Sequence, residues 1–335
     1  MSAMRDQLAA LRRLRATDET WEVARRRMPA WIAPPGRAPY RPYHILCVSC
    51  TGPLIIFHEI SETEPSPEQV LDALIRGMQA PLSGAGPPRR PQRIYFDEGT
   101  LVEALSPTLS ILDIHCEQRV IAELDEVVRE LERHLTGREP LPGLLEAPGV
   151  TAEQVASLFS AAAFFYREAP WRWLTDAQPL AIRYPPTAEP RYAVVMGHGG
   201  ETFGLAVYDS WADLQLLYGL PIPEMAFGRI KATSLLYDEI MAIPFADLDM
   251  IEACGWEVAG DEAYPIPITM SRSGHVGRPG QQDILWLEAV LRAIPVFVRD
   301  YLRPSEGRLQ PAEATLTVPV ASGEASVALK FPVST

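Results

Sequence analysis

Three acidic residues, Asp97, Glu98 and Asp113, are the candidates for metal-dependent chemistry in this sequence. Asp97 and Glu98 directly follow the predicted strand RIYF, and Asp113 lies in the predicted strand LDIHCE, so a sheet could bring their carboxylates together. Paired carboxylates can hold two metal ions that activate water for hydrolysis. A metal-dependent enzyme that processes nucleic acids or nucleotides is therefore an alternative function for this chain.

The order of elements around these acids resembles that of ribonuclease-H-like nucleases. A strand ends near Cys50, a hairpin follows, and a further strand leads into Asp97. The resemblance implies a metal-binding carboxylate at the end of the first strand, where this chain has cysteine. An enzyme lacking that ligand is expected to be inactive. The likeness therefore concerns the fold alone, and we predict neither a bound metal nor a cofactor.

Other residues that often carry chemistry lack the patterns that such chemistry requires. Cys47 and Cys50 form a C-x-x-C motif without a second pair, and it lies within a predicted strand, which favours buried free cysteines over a zinc or redox site. His44, His58 and His134 show no spacing typical of metal ligands. Motifs such as G-x-S-x-G, GK[ST] and H-E-x-x-H are absent.

A glycine-rich corner, residues 197–200, invites comparison with phosphate-binding loops. A phosphate loop leads from a strand into a helix, whereas here a second strand-like run, ETFGLAVYDS, follows. The order predicts a β-hairpin whose glycines permit positive φ. His198 and Glu201 would then lie on an exposed tip, where they are candidate binding residues.

Aromatic residues cluster just before this hairpin, in FFYREAPWRWL. Aromatics at helical spacing beside a proline turn usually fill a core, which is the favoured interpretation. The alternative is a small-ligand pocket between two domains, lined by Trp171, Arg172 and Trp173.

The charge balance restricts the possible partners. With 30 Lys and Arg against 43 Asp and Glu, the net charge is −13, which disfavours general nucleic-acid binding. No apolar run reaches the about 18 residues of a membrane span. The chain begins without a secretory signal, so we expect a cytoplasmic protein. A local basic patch remains an alternative, formed by Arg5, Arg12, Arg13, Arg15, Arg25, Arg26 and Arg27.

The pattern of elements predicts two domains. Residues 1–43 should hold a helix over 4–28 and a proline-rich connector, and residues 44–136 an α/β domain with a mixed sheet. Ser66 and Pro67 should begin a helix in that domain. Residues 137–150 are rich in proline and glycine and mark a linker. Residues 151–335 should form an α+β domain with antiparallel strands, whose first helix has Thr151 and Gln154 as its capping box.

The segments FFYREAPWRWL, YAVVMGHGGETFGLAVYDS and FADLDMIEACGW resemble an uncharacterised bacterial family of two-domain proteins. Members share a Pro-Trp-Arg helix end and a Met-Gly-x-Gly-Gly-Glu-x-x-Gly-Leu hairpin. The preceding segments, PYRPYHIL, TGPLI and PPRRPQRIYFDEG, are similar to a second domain found upstream in such proteins. The resemblance covers roughly residues 20–305 and implies no catalytic residue.

The function predicted from the sequence is non-catalytic binding or regulation. The acidic surface and the missing catalytic motifs favour another protein as the partner. A small-molecule ligand is a further alternative, and nucleic acid is disfavoured except through the N-terminal arginines. The residues assigned to binding are His198, Glu201, Trp171, Arg172 and Trp173.

Overall fold

The computed structural model describes residues 8–52, 54–137, 139–219, 229–305 and 308–333. Arg5, Pro53 and the first four residues of the predicted helix lie outside these ranges. The chain divides into two units, Met1–Pro140 and Leu141–Thr335. The division falls within the segment 137–150 predicted as a linker. No helix in the described ranges is long and apolar enough to span a membrane.

The first unit is built around a five-stranded mixed sheet in the order β4-β3-β2-β6-β7. β2, β6 and β7 run parallel, and β3 is antiparallel to both its neighbours. The predicted α/β domain with a mixed sheet is confirmed. The elements are α1 (residues 8–12), β1 (Arg15–Ala16), β2 (Thr20–Arg27), β3 (Tyr43–Ser49), β4 (Leu54–Ser61), α2 (Pro67–Gln79), β5 (Arg89–Arg90), β6 (Arg93–Phe96), α3 (Gly99–Ser110), β7 (His115–Gln118) and α4 (Ala122–Thr136).

The central strand β2 overturns part of the expected organisation. The helix predicted over residues 4–28 is wrong after residue 12, because Thr20–Arg27 is a strand. Trp21 is fully buried on one face of the sheet and Ala24 is fully buried on the other. A strand covered on both faces lacks the simple alternation of apolar and polar residues that reveals a half-exposed strand. The segment 1–43 therefore contributes the middle of the α/β sheet.

The two faces of this sheet are covered differently. On one face, α2 and α3 pack over Trp21, Val23 and Ile45 in the larger core. On the other face, α4 packs over Ala24 and Leu46 in a smaller cluster. Because α4 covers mainly β2 and β3, part of this second face beside the edge strand β4 stays open to solvent.

Local signals set the start of α2 as expected. Ser66 accepts a hydrogen bond from the backbone N–H of Gln69, and the Gln69 side chain accepts one from the Ser66 N–H. Pro67 occupies the first helical position, where no intrahelical N–H donor is needed. This helix start is confirmed.

The second unit contains an eight-stranded antiparallel sheet in the order β13-β12-β11-β10-β9-β8-β17-β16. The predicted α+β domain with antiparallel strands is confirmed. Its elements are α5 (Ala152–Glu168), β8 (Leu180–Arg183), β9 (Arg191–Met196), β10 (Phe203–Tyr208), α6 (Trp211–Tyr218), β11 (Ala232–Asp238), α7 (Phe245–Cys254), β12 (Tyr264–Met270), β13 (Val276–Gly277), α8 (Gln281–Asp300), β14 (Pro304–Ser305), β15 (Arg308–Leu309), β16 (Ala312–Val320) and β17 (Gly323–Phe331).

Helices α5 and α8 pack on each other and on one face of this sheet. α5 begins with the predicted capping box of Thr151 and Gln154. A buried ion pair joins Asp247 of α7 to Arg278. Asp247 also accepts the N–H of Leu144 at 2.8 Å, and Arg278 donates to the Pro142 carbonyl at 2.7 Å. The pair thereby ties the start of the unit to its sheet.

Candidate functional site

The three predicted acids do not converge. Asp97 and Glu98 follow the carboxyl end of β6, whereas Asp113 precedes the amino end of β7. β6 and β7 are adjacent, parallel and in register, so these positions lie at opposite ends of the two strands. Within the described ranges, no three His, Cys, Asp or Glu side chains are placed to hold one metal ion. The carboxylate cluster that a two-metal site needs is thus not formed by these acids.

Arginines of β2 neutralise two of the acids. Arg25 donates to both carboxylate oxygens of Glu98, at 2.9 to 3.2 Å. Arg26 donates from Nε to Asp97 at 2.8 Å and pairs with Asp125 at 2.5 Å. Two members of the predicted basic patch are therefore held in intramolecular ion pairs on a strand.

Trp171 lies in the core of the second unit. Only 7% of its surface is exposed, and its ring centroid lies 5.1 Å from that of Phe203 and 5.4 Å from that of Tyr166. Tyr237 joins the same aromatic cluster, and its hydroxyl donates to the Ala162 carbonyl at 2.7 Å. This packing agrees with the core interpretation for Tyr166 and Trp171. The interpretation is wrong for Trp173, which is 56% exposed.

The other predicted binding residues are at the surface of the second unit. β9 and β10 form the expected hairpin, and His198 and Glu201 are exposed at its tip. His198 Nδ1 lies 3.0 Å from the Trp171 carbonyl oxygen. Arg172 is exposed, and Trp173 is 56% exposed. A binding role for these residues stays a prediction.

The cysteines of the C-x-x-C motif are unpaired and have thiols with raised pKa values. Cys47, Cys50, Cys116 and Cys254 are all free. Burial raises the pKa of Cys47 well above its usual value, and burial together with Glu22 raises that of Cys50 to about 11. Because the thiolate is the reactive form, the C-x-x-C pair is poorly suited to redox chemistry.

An apolar groove lies in the first unit, between α4 and the strands β3 and β4. It has a volume of about 450 Å³. Sequence spacing explains the α4 wall, since Val127, Leu131 and His134 recur on one helical face. We call it the His44 groove; its lining residues are Met28, His44, Leu46, Ile55, His58, Ile60, Val127, Glu130, Leu131 and His134.

Strand pairing places the sheet wall of the His44 groove. His44 of β3 lies opposite Ile60 of β4, and Leu46 lies opposite His58. Residues two apart on a strand face the same side, so His44 and Leu46 share the face that α4 covers. On its other side His44 neighbours Arg26 of β2.

His44 is the unusual member of this set. It is 3% exposed, and its Nε2 atom is buried with no hydrogen-bond partner in the part of the chain that the structure describes. Burial, together with the neighbouring Arg26 and His58, lowers the pKa of His44 to about 4. The imidazole is therefore neutral at pH 7 and presents one unused polar atom among apolar side chains.

Sequence reasoning missed this site. His44, His58 and His134 have no informative spacing along the chain because two strands and a helix bring them together. One signal was present: His44 occupies the same strand face as Leu46 and Val48 in YHILCVS. A histidine in an inward-facing row of a buried strand marks a polar group that needs a partner.

The two units match two separate family models. Residues 7–132 match a domain of unknown function (DUF6930), and residues 156–301 match a domain of unknown function (DUF7309). No curated protein sequence matches the chain. The first match covers the sheet that holds the His44 groove, and the second runs from within α5 to the end of α8. The chain is thus similar to DUF6930 over most of its first unit and to DUF7309 over much of its second unit.

Proposed function

We propose that the protein acts by binding, and that the His44 groove receives a small molecule with an apolar body. The observation that carries this proposal is that His44, a residue lining the groove, has a buried Nε2 atom without a partner among the described residues. A volume of about 450 Å³ is within the usual range of about 300 to 1,000 Å³ for ligand pockets.

The lining supports an apolar occupant. Leu46, Ile55 and Ile60 form the sheet wall, and Val127 and Leu131 form the helix wall. Ile60 is 56% exposed and Ile55 is 37% exposed, so a bound molecule would remove both from water. Each square ångström of apolar surface buried contributes roughly 25 cal/mol.

A small molecule fits better than a protein surface. Stable protein interfaces bury roughly 800 Å² on each partner, and they need a broad contact area. Here the polar atom lies at a buried position that a flat partner surface does not reach. A narrow ligand can enter the groove that His44 lines and can also cover the exposed isoleucines.

The metal-dependent alternative has weaker support. Asp97 is held by Arg26 and Glu98 by Arg25, and Asp113 lies at the opposite end of the parallel strands β6 and β7. We also propose a reducing compartment such as the cytoplasm, supported by four cysteines that are all unpaired.

The test is a fluorescence titration with the apolar probe N-phenyl-1-naphthylamine. We expect saturable binding to the native protein, and binding weakened about tenfold or more by Ile60→Glu, because a charge replaces an apolar wall residue. Leu54→Glu is the matched control: Leu54 is on the same strand and 51% exposed, but it does not line the groove. Absent saturation, or equal losses in both variants, would refute the proposal.

A further inference from the structure

We infer that the ligand of the His44 groove carries a neutral hydroxyl group, as an alcohol or a phenol, which hydrogen-bonds to Nε2 of His44. The inference rests on the proposed binding function and deepens it by naming the polar group that the site recognises. It stands on the position of one atom and on the charges around it.

The geometry calls for a polar group at one point of an otherwise apolar ligand. His44 is 3% exposed and is held in place by the pairing of β3 with β2 and β4. Its Nε2 atom is buried without a partner in the described ranges. Most buried polar side-chain atoms in native proteins have a partner, so an unpartnered atom on a residue that lines a groove points to a missing ligand atom.

A hydroxyl satisfies this atom in either state of the ring. A neutral imidazole has one N–H donor and one acceptor nitrogen, and the tautomer decides which of them Nε2 is. A hydroxyl can donate to an acceptor Nε2 or accept from a donor Nε2. A carboxylate can only accept, and an ammonium can only donate. The low pKa of His44, about 4, keeps the ring neutral.

The surrounding charges disfavour ionic ligands. A buried ion without a counter-charge is strongly disfavoured. The positive charge of Arg26 beside His44 disfavours an ammonium. The same guanidinium is held by Asp97 and Asp125, so it does not supply a free counter-charge for a carboxylate. The described residues that line the groove include Glu130, which pairs with Arg133, and neither Lys nor Arg. A neutral polar group avoids both conflicts.

The experiment compares 4-butylphenol, butylbenzene and 4-butylbenzoate as competitors of the bound fluorescent probe. We expect the native protein to bind the phenol about two- to tenfold more tightly than the hydrocarbon, which corresponds to one hydrogen bond. The benzoate should bind more weakly than the phenol. In His44→Leu the preference for the phenol over butylbenzene should disappear. His44→Gln places an amide near the Nε2 position and should restore part of the preference.

Each outcome is informative. If no competitor displaces the probe, the proposed function itself fails. If all are bound but the phenol shows no advantage, or if its advantage survives in His44→Leu, the groove binds apolar molecules and the hydroxyl inference is overturned. Tighter binding of the benzoate overturns it as well. Nitrogen NMR of the unmutated protein provides an independent readout: the phenol should shift the His44 Nε2 resonance, and an unshifted resonance at saturation contradicts the inference.

Discussion

Gly197 lies directly against the ring of Trp171. A β-carbon at position 197 would come within 3.0 Å of Trp171 Cγ and 2.6 Å of Phe203 Cδ1. The φ of Gly197 is +125°, a conformation that side chains rarely adopt. The first glycine of the corner therefore permits the close packing of the hairpin on the aromatic cluster.

We expect Gly197→Ala to lower the free energy of unfolding of the second unit by about 2 kcal/mol or more, from backbone strain and overpacking together. Urea denaturation followed by near-ultraviolet circular dichroism of the aromatic cluster measures this. Gly199→Ala is the control, because a β-carbon there would meet nothing within 4 Å. Equal stability of the two variants would contradict the packing role.

The stability of the first unit should fall as the pH is lowered from 6.5 towards 4. In the unfolded chain His44 takes up a proton near pH 6.5, whereas in the folded protein its pKa is about 4. The unfolded state therefore binds more protons in this window, and about 3 kcal/mol of stability is lost across it. Hydrogen exchange of peptides from β3 and β4, followed by mass spectrometry, reports the local free energy.

His44→Leu should remove this part of the pH dependence, since leucine cannot take up a proton. It should also stabilise the unliganded protein at pH 7 by about 1 kcal/mol or more, because it deletes an unpartnered buried polar atom. His134→Leu, at an exposed histidine of the same groove, is the matched control. An unchanged pH slope in His44→Leu would contradict the assignment.

Arg278→Leu should destabilise the second unit by about 3 to 5 kcal/mol, because it leaves the carboxylate of Asp247 buried without its counter-charge. Adding Asp247→Asn removes the stranded charge and keeps an acceptor for the Leu144 N–H, so part of the loss should be restored. Arg167→Ala, in an exposed pair with Glu257, is expected to cost less than about 1 kcal/mol. Thermal unfolding of the native protein and the three variants compares them. A double variant no more stable than Arg278→Leu would contradict the coupling.

Cys254 should react first with a thiol reagent at pH 8. It is exposed, whereas burial raises the pKa of Cys116 to about 11 and that of Cys47 well above its usual value. Few thiolates are then present at the buried sites, and labelling there should wait for local opening. Peptide mapping after timed alkylation gives the order. Labelling of Cys47 ahead of Cys254 would refute this picture.

Elements with strong local signals were predictable from the sequence. Ser66-Pro67 and Thr151 with Gln154 specify helix starts through contacts within four residues, and both are present. β2 was mispredicted because Leu8, Leu11 and Leu14 suggest a helix that continues into Trp21. Its strand conformation depends on pairing with β3 and β6, which a local pattern does not contain.

The groove escaped prediction for the same reason. His44 and His58 meet through strand pairing, and His134 reaches them through the packing of α4. The ion pairs of Arg25 with Glu98 and of Arg26 with Asp97 were equally hidden, because they join β2 to the end of β6. Charged residues that looked like separate basic and acidic features proved to be partners.

The central place of β2 also governs when the first unit can fold during synthesis. Arg25 and Glu98 are 73 positions apart, and Glu22 accepts the N–H of Leu124 across 102 positions. β2 is synthesised before its parallel neighbour β6 and before α4, so its pairing is expected to wait for both. Contacts this distant in sequence favour slow, collective folding. The groove beside His44, which needs β3, β4 and α4 together, is then expected to form only when the first unit folds as a whole.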